Sequence, residues 1–273
     1  MTKLYENLKF TDDFMFCKIL STNPELCRQL LELILGRKVK EVRYPAAQKP
    51  IDITSDGKGI RLDVYMEGEN KVYDIEMQTT GNTNLPKRTR YYQGMIDLNL
   101  IEKGADYSEL KETFIIFICL HDPFHENKCV YTFENRCKEV DELALGDEST
   151  KIFLNASGNK DNLPEELSDF LNYLLGKEPK GKLATEIAEK VATAIKHEDW
   201  RVEYMTLLQR DREKFAEGMA QGVAQGMAQG MARGNMLAIQ RLLSKKMDND
   251  FILSLGYTQD EIDEAERSLV VMA

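Results

Sequence analysis

Apolar residues in this chain recur first at helical spacing, then in alternation, then as one unbroken run. In "NPELCRQLLELILG", Leu26, Leu30, Leu31, Ile34 and Leu35 fall on one stripe, the pattern of an amphipathic helix. Asn23 suits its cap, Pro24 its first turn and Gly36 the residue after its end. A shorter helix is predicted over "FTDDFMFCKIL", with Thr11 or Asp12 near its start. Strand patterns follow in "KVKEVRYP", "GIRLDVYM" and "KVYDIEMQ". Later comes "TFIIFICL", an apolar run that suits a strand buried on both faces. Between the last two, "LPKRTRYYQGMIDLNLIEKG" reads as a helix with apolar positions at Tyr92, Met95, Ile96, Leu98 and Leu100. The predicted order is helix, three strands, helix, strand, which is a mixed α/β core with a short meander and one crossover.

Beyond roughly residue 160 only helical patterns remain. "LPEELSDFLNYLLG" opens at Pro164 and stops at Gly176, and the stretch from Gly181 to Gly218 reads as one long helix or a broken one. A repeat follows, with Gly218, Gly222, Gly226, Gly230 and Gly234 every four residues and Ala216, Ala220, Ala224, Ala228 and Ala232 in step. Four residues advance a helix by about 40° past a full turn, so the small side chains wind slowly around it. Each glycine costs about 1 kcal/mol relative to alanine. Such a segment is either a docking or self-association helix or a flexible helical spacer. Its glutamines and Arg233 set it apart from a membrane glycine motif. Thr258 and Glu261 have capping-box spacing.

Composition narrows the function classes. Of 273 residues, 42% are hydrophobic and 30% charged, an ordinary globular balance. The run "FIIFICL" is far short of the roughly 20 residues of a membrane helix, and "MTKLYENLKFTDDF" lacks a secretory apolar core. Five cysteines without CxxC spacing suit reduced thiols and a cytoplasmic location. His121 and His125 are separated by Pro123, which argues against one helix presenting both to a metal. The net charge of −10 disfavours non-specific nucleic-acid binding by the chain as a whole. It leaves room for a local basic patch, or for a site whose sign a bound cation reverses.

The chemistry concentrates in the second and third predicted strands. Side chains alternate across a strand. In "RLDVYM", Leu62, Val64 and Met66 share one face and Arg61, Asp63 and Tyr65 the other. In "VYDIEMQ", Tyr73, Ile75 and Met77 oppose Asp74, Glu76 and Gln78. A two-residue turn at Glu69-Asn70 pairs residues whose numbers sum to 139, placing Val64 opposite Ile75 and Asp63 opposite Glu76. Directly opposed Cβ atoms lie about 4.5–5.5 Å apart, and like charges there destabilise a sheet. A divalent cation between the carboxylates would remove that penalty. A longer turn or a bulge shifts the pairing, and an even sum sets the acids diagonally. Alternation by itself also describes a hairpin whose outer face is solvated.

Asp63, twelve residues, then Glu76-Met77-Gln78 resembles a PD-(D/E)xK nuclease core with glutamine at the lysine position. More narrowly, the chain is similar to the Rpn-type recombination-promoting nucleases, PD-(D/E)xK family transposases, over about Phe10 to Ala156. The stretches that carry this are "FTDDFMFCKIL", "RLDVYMEGENKVYDIEMQ", "LPKRTRYYQGMIDLNLIEKGADYSELKETFIIFICLHDPF" and "VYTFENRC".

The resemblance implies a PD-(D/E)xK restriction-endonuclease-like fold, an αβββαβ core with a mixed sheet, followed by an α-helical C-terminal extension. On this reading 1–158 is the nuclease-like domain, 159–217 a helical region, 218–234 a glycine-repeat helix or linker and 235–273 a helical tail. The implied activity is DNA cleavage dependent on Mg²⁺ (or Mn²⁺), in recombination or in a mobile element. Asp63 and Glu76 match the metal-binding acids, the Met77 backbone carbonyl a further ligand, and Gln78 the position usually held by lysine. Glutamine orients water by hydrogen bonding but carries no charge. A catalytically weak DNA-binding or protein-interaction module on the same fold is therefore the alternative.

Arg88 and Tyr92 match a recurring pattern on the following helix, where Lys87, Arg88, Arg90 and Tyr92 are the candidates for DNA contact. An amphipathic helix with a basic outer side has the same composition. Glu32 is the candidate for an additional acid, with a surface glutamate as the alternative. DNA is the expected partner, with homo-oligomerisation through the C-terminal helices and no membrane.

Overall fold

The computed structural model describes residues 3–40, 43–51, 59–68, 70–81 and 84–271. The chain divides into two compact units, Met1–Tyr204 and Met205–Ala273.

The first unit is built on a six-stranded sheet in the order β1-β2-β3-β4-β6-β5. The strands are β1 (Arg43–Ile51), β2 (Ile60–Glu67), β3 (Lys71–Gln78), β4 (Glu112–Cys119), β5 (Val130–Phe133) and β6 (Ser149–Asn155). β1, β2 and β3 form an antiparallel meander. α3 (Leu85–Leu100) then crosses over, so β4 runs parallel to β3. β6 is parallel to β4, and β5 closes the far edge antiparallel to β6. The αβββαβ order and the mixed sheet match the expectation. β5 and β6 extend the sheet beyond it.

One strand lies elsewhere than its pattern suggested. The pattern predicts the first strand over "KVKEVRYP", yet residues 38–40 are not strand, and 41–42 fall outside the described residues. β1 instead runs through Pro45 and Pro50. Proline has no N–H to give to a ladder and is confined to edges and bulges. β1 is the edge strand, and its register shifts between Arg43 and Ala46.

α1 (Asp13–Thr22) packs on β1 and β2, with α2 (Pro24–Leu35) beside it. The caps of α2 fall where the sequence puts them. Gly36 takes the left-handed conformation (φ 64°), and its N–H donates to the Glu32 carbonyl at 2.9 Å. The Asn23 side chain serves α1 instead, its Nδ2 donating to the Ile19 carbonyl at 2.8 Å.

α4 (Glu165–Leu174) and α5 (Lys182–Ala194) pack against α1 and α2. The Tyr5 hydroxyl donates to the Ala194 carbonyl (2.7 Å) and the Tyr204 hydroxyl to that of Lys3 (3.0 Å). These contacts carry the first unit to Tyr204. The helical region expected over 159–217 is thus shared between the units.

α6 (Glu198–Ser244) is separate from α5, so the long helical stretch is a broken one. The glycine repeat lies inside α6 and is helical throughout, with Met219, Val223, Met227 and Met231 exposed. In the second unit, Ile239 of α6 packs with Ile252 of α7 (Asn249–Ser254) and with Ile262 and Ala265 of α8 (Gln259–Val271). The capping box forms as read: the Thr258 N–H donates to Glu261 Oε2 at 2.8 Å, and the Glu261 N–H to Thr258 Oγ1 at 3.3 Å. Among the described residues no helix is long and apolar enough to cross a membrane.

Candidate functional site

The β2–β3 hairpin has the register that a two-residue turn dictates, with Val64 opposite Ile75 and Glu67 opposite Val72. The Gly68 N–H donates to the Lys71 carbonyl at 2.7 Å across that turn, while Glu69 itself lies outside the described residues. The ladder stops at Val64 and Ile75. Beyond it the two acids take over the backbone donors. The Asp63 N–H donates to Glu76 Oε1 (2.9 Å), and the Met77 N–H donates to Asp63 Oδ2 (3.2 Å). N–H and C=O of one strand residue point the same way, so the Met77 carbonyl also faces the gap where the ladder has opened.

This face is not solvated. Leu85, Tyr92, Met95 and Ile96 of α3 cover it and join Val72, Ile115 and Phe117 in one apolar cluster. Asp63 is 8% exposed, Glu76 1% and Asp74 0%. Neither oxygen of Asp74 has a hydrogen-bond partner. It lies beside Glu76 and Asp63. Burial first, and then Asp13, pushes the Asp63 carboxyl up to about 6. Burial first, and then Asp63, pushes Glu76 up to about 8. Burial and the two neighbouring acids hold Asp74 well above the ordinary range.

Arg88 is turned into this group of acids. Its Nη2 donates to Glu76 Oε2 at 2.6 Å, its Nη1 to Gln78 Oε1 at 3.2 Å and its Nε to the Tyr92 hydroxyl at 2.7 Å. The guanidinium also lies over the rings of Tyr92 and Phe117. Of the helix residues expected to meet DNA, Arg88 therefore lies with the acids and Tyr92 in the core. Burial keeps Tyr92 from the surface. Lys87 and Arg90 are exposed. The Gln78 amide donates to the carbonyl and the hydroxyl of Thr80, both at 3.2 Å.

Glu32 sits apart from these residues in its contacts. It accepts from Arg28 (2.5 Å), Lys38 (3.0 Å) and the Val39 N–H (3.0 Å), which ties the end of α2 to the chain that follows. The helix acid that does approach is Asp13, in the first turn of α1. Oxygens of Asp13 and Asp63 and the sulfur of Cys17 all lie within 4.8 Å of one another. Asp13 also accepts from Gln48 (3.1 Å) and Arg61 (3.5 Å). The sequence signal was an acid opening a helix whose Phe14, Met15, Phe16, Ile19 and Leu20 are all buried.

Three buried carboxylates and Asp13 thus converge on Arg88 and Arg61. Their oxygens and the Met77 carbonyl form a hard donor set, the kind a divalent cation such as Mg²⁺ or Mn²⁺ takes. Asp74, whose oxygens have no hydrogen-bond partner, adds a further buried oxygen donor beside them. The donor set therefore fits a divalent cation.

No curated protein and no solved structure matches the chain. A family model described as PD-(D/E)XK nuclease family transposase matches residues 10–220, which takes in the whole sheet, every acid of the site and the helices as far as the start of the glycine repeat. The chain belongs to the PD-(D/E)XK nuclease family transposases.

Proposed function

We propose that this chain is a DNA endonuclease that hydrolyses phosphodiester bonds with Mg²⁺ (or Mn²⁺), in recombination or in a mobile element. The observation that carries this reading is the pair of interlocked buried acids, Asp63 and Glu76, at the opened end of the β2–β3 ladder. Asp63, Glu76, Asp13 and the Met77 carbonyl would hold the cation. When bound, it supplies Lewis acidity toward the phosphate and lowers the pKa of water. Gln78 orients water through its amide. Arg88, bonded to both Gln78 and Glu76, supplies the positive charge that lysine would have given at position 78. Lys87 and Arg90 contact flanking phosphates from the exposed side of α3.

The test is nicking of supercoiled plasmid in Mg²⁺ or Mn²⁺. The protein should nick, and Asp63→Ala and Glu76→Ala should not. Nicking that survives both substitutions overturns the site. The Arg88–Glu76 ion pair favours a second reading, since it already satisfies one oxygen that the cation needs. In that reading the chain is a catalytically weak DNA-binding or interaction module. DNA retained without cleavage in either metal would support it.

A further inference from the structure

We propose that Cys17 is a metal ligand, so that the site admits a thiophilic divalent cation of the Zn²⁺ class through Asp13, Cys17 and Asp63, in competition with Mg²⁺. The consequence for cleavage rests on the function proposed above, but the binding itself does not.

Asp13 and Cys17 are four residues apart on α1, the spacing that stacks side chains on one helix face. That face meets Asp63 of β2, and the three donor atoms lie within 4.8 Å of one another. A tetrahedral Zn²⁺ site has ligand bonds of about 2.0–2.3 Å, so the donors close in modestly around the ion. Cys17 is 3% exposed, and its thiol donates weakly to Asp13 Oδ1 at 3.7 Å. Two other buried thiols are engaged elsewhere. Cys27 faces the Met66 sulfur, and Cys129 donates to the Asn159 carbonyl. Among the described residues only Cys17 joins such a group of donors.

The second, independent sign is Asp74. It is fully buried beside Asp63, and neither of its oxygens has a hydrogen-bond partner. A hard ion gains little from sulfur, whereas Zn²⁺ and Cd²⁺ gain much. On binding, the metal–sulfur bond forms, the S–H bond breaks and the proton passes to solvent, with no change of oxidation state. The fourth position stays open to water or to a phosphate oxygen.

Titration of the metal-free full-length chain with Co²⁺ tests this directly. A thiolate-to-cobalt charge-transfer band is expected in the wild type and in Cys137→Ser, and is lost in Cys17→Ser. If Cys17→Ser fails to fold by circular dichroism, Cys17→Ala and Asp63→Asn replace it, each expected to lose or weaken the band. No band in the wild type, or a band that persists in the Cys17 variants, overturns the proposal. In the nicking assay, Zn²⁺ should suppress the Mg²⁺-supported rate at about tenfold lower concentration in the wild type than in Cys17→Ser. Tenfold is the scale on which even outer partners alter metal affinity. A band without any nicking defeats only the endonuclease reading. Metal-dependent nicking without a band defeats only this one.

Discussion

Glu76 shows how much a single buried carboxyl dictates. Its pKa is raised to about 8 and that of Asp63 to about 6, both chiefly by burial. The fold therefore keeps protons that the unfolded chain has already released. Stability of the metal-free protein falls as pH rises from about 4 to about 8 and levels off above, by an amount of order a few kcal/mol. Urea melts across that range should show the decline, Mg²⁺ should oppose it at pH 8, and Glu76→Gln should flatten its upper part. A profile that rises with pH would refute the burial account. Arg88→Ala strips Glu76 of its cation. It should cost about 1–3 kcal/mol, below the figure for a fully buried pair because the Arg88 side chain keeps 31% exposure. The cost should be largest where Glu76 is ionised. The placement of Asp63 beside Glu76 was legible because the hairpin turn fixes which residues face each other. Asp13 was not, because only the docking of α1 on β2 brings it near. Nor was the inward course of Arg88, because the pattern gives a helix face but not which way a long side chain bends.

At the scale of elements, local chemistry and tertiary pairing divide the credit. The ends of α2 follow from Pro24 and Gly36, and the capping box of α8 from Thr258 and Glu261, since caps need only neighbours in sequence. β1 depended on pairing with β2 across an edge, which overrode a better-looking strand pattern upstream. β5 and β6 escaped notice because both are short and β6 carries Lys151 among its apolar residues, and each becomes a strand only against its partner, β6 on β4 and β5 on β6. Two glycines separate local strain from intrinsic helix cost. Gly36 has φ 64° and nothing within 4 Å of a built Cβ, and Gly94 lies inside α3, also with open space. Gly36→Ala should destabilise by about 1 kcal/mol, since alanine resists the left-handed conformation. Gly94→Ala should stabilise by about 0.5–1 kcal/mol. Denaturant midpoints with unchanged slopes would verify both signs, and equal signs would contradict the assignment.

The whole molecule carries a charge of −10, and this decides how DNA can be held. Long-range attraction cannot come from the total, so on the proposed function affinity would arise from local groups and from cation charge placed among Asp13, Asp63, Glu76 and Asp74. Lys87 and Arg90 are the exposed cations nearest this site along α3, and Arg88 is committed to Glu76. Each phosphate contact releases counterions, so it contributes close to one to the slope of log affinity against log salt. Replacing Lys87 or Arg90 by alanine should weaken binding to unrelated duplexes alike and lower that slope by about 1 apiece. Arg88→Ala should change it less. Divalent ions should tighten binding in the wild type more than in Glu76→Ala, because they neutralise acids that otherwise repel the backbone. Filter binding or fluorescence anisotropy over a salt series separates these outcomes. An unchanged slope in both surface variants would remove α3 as the DNA-facing element. The glycine repeat, starting near the end of the family match, would then be tested next by deleting 216–234.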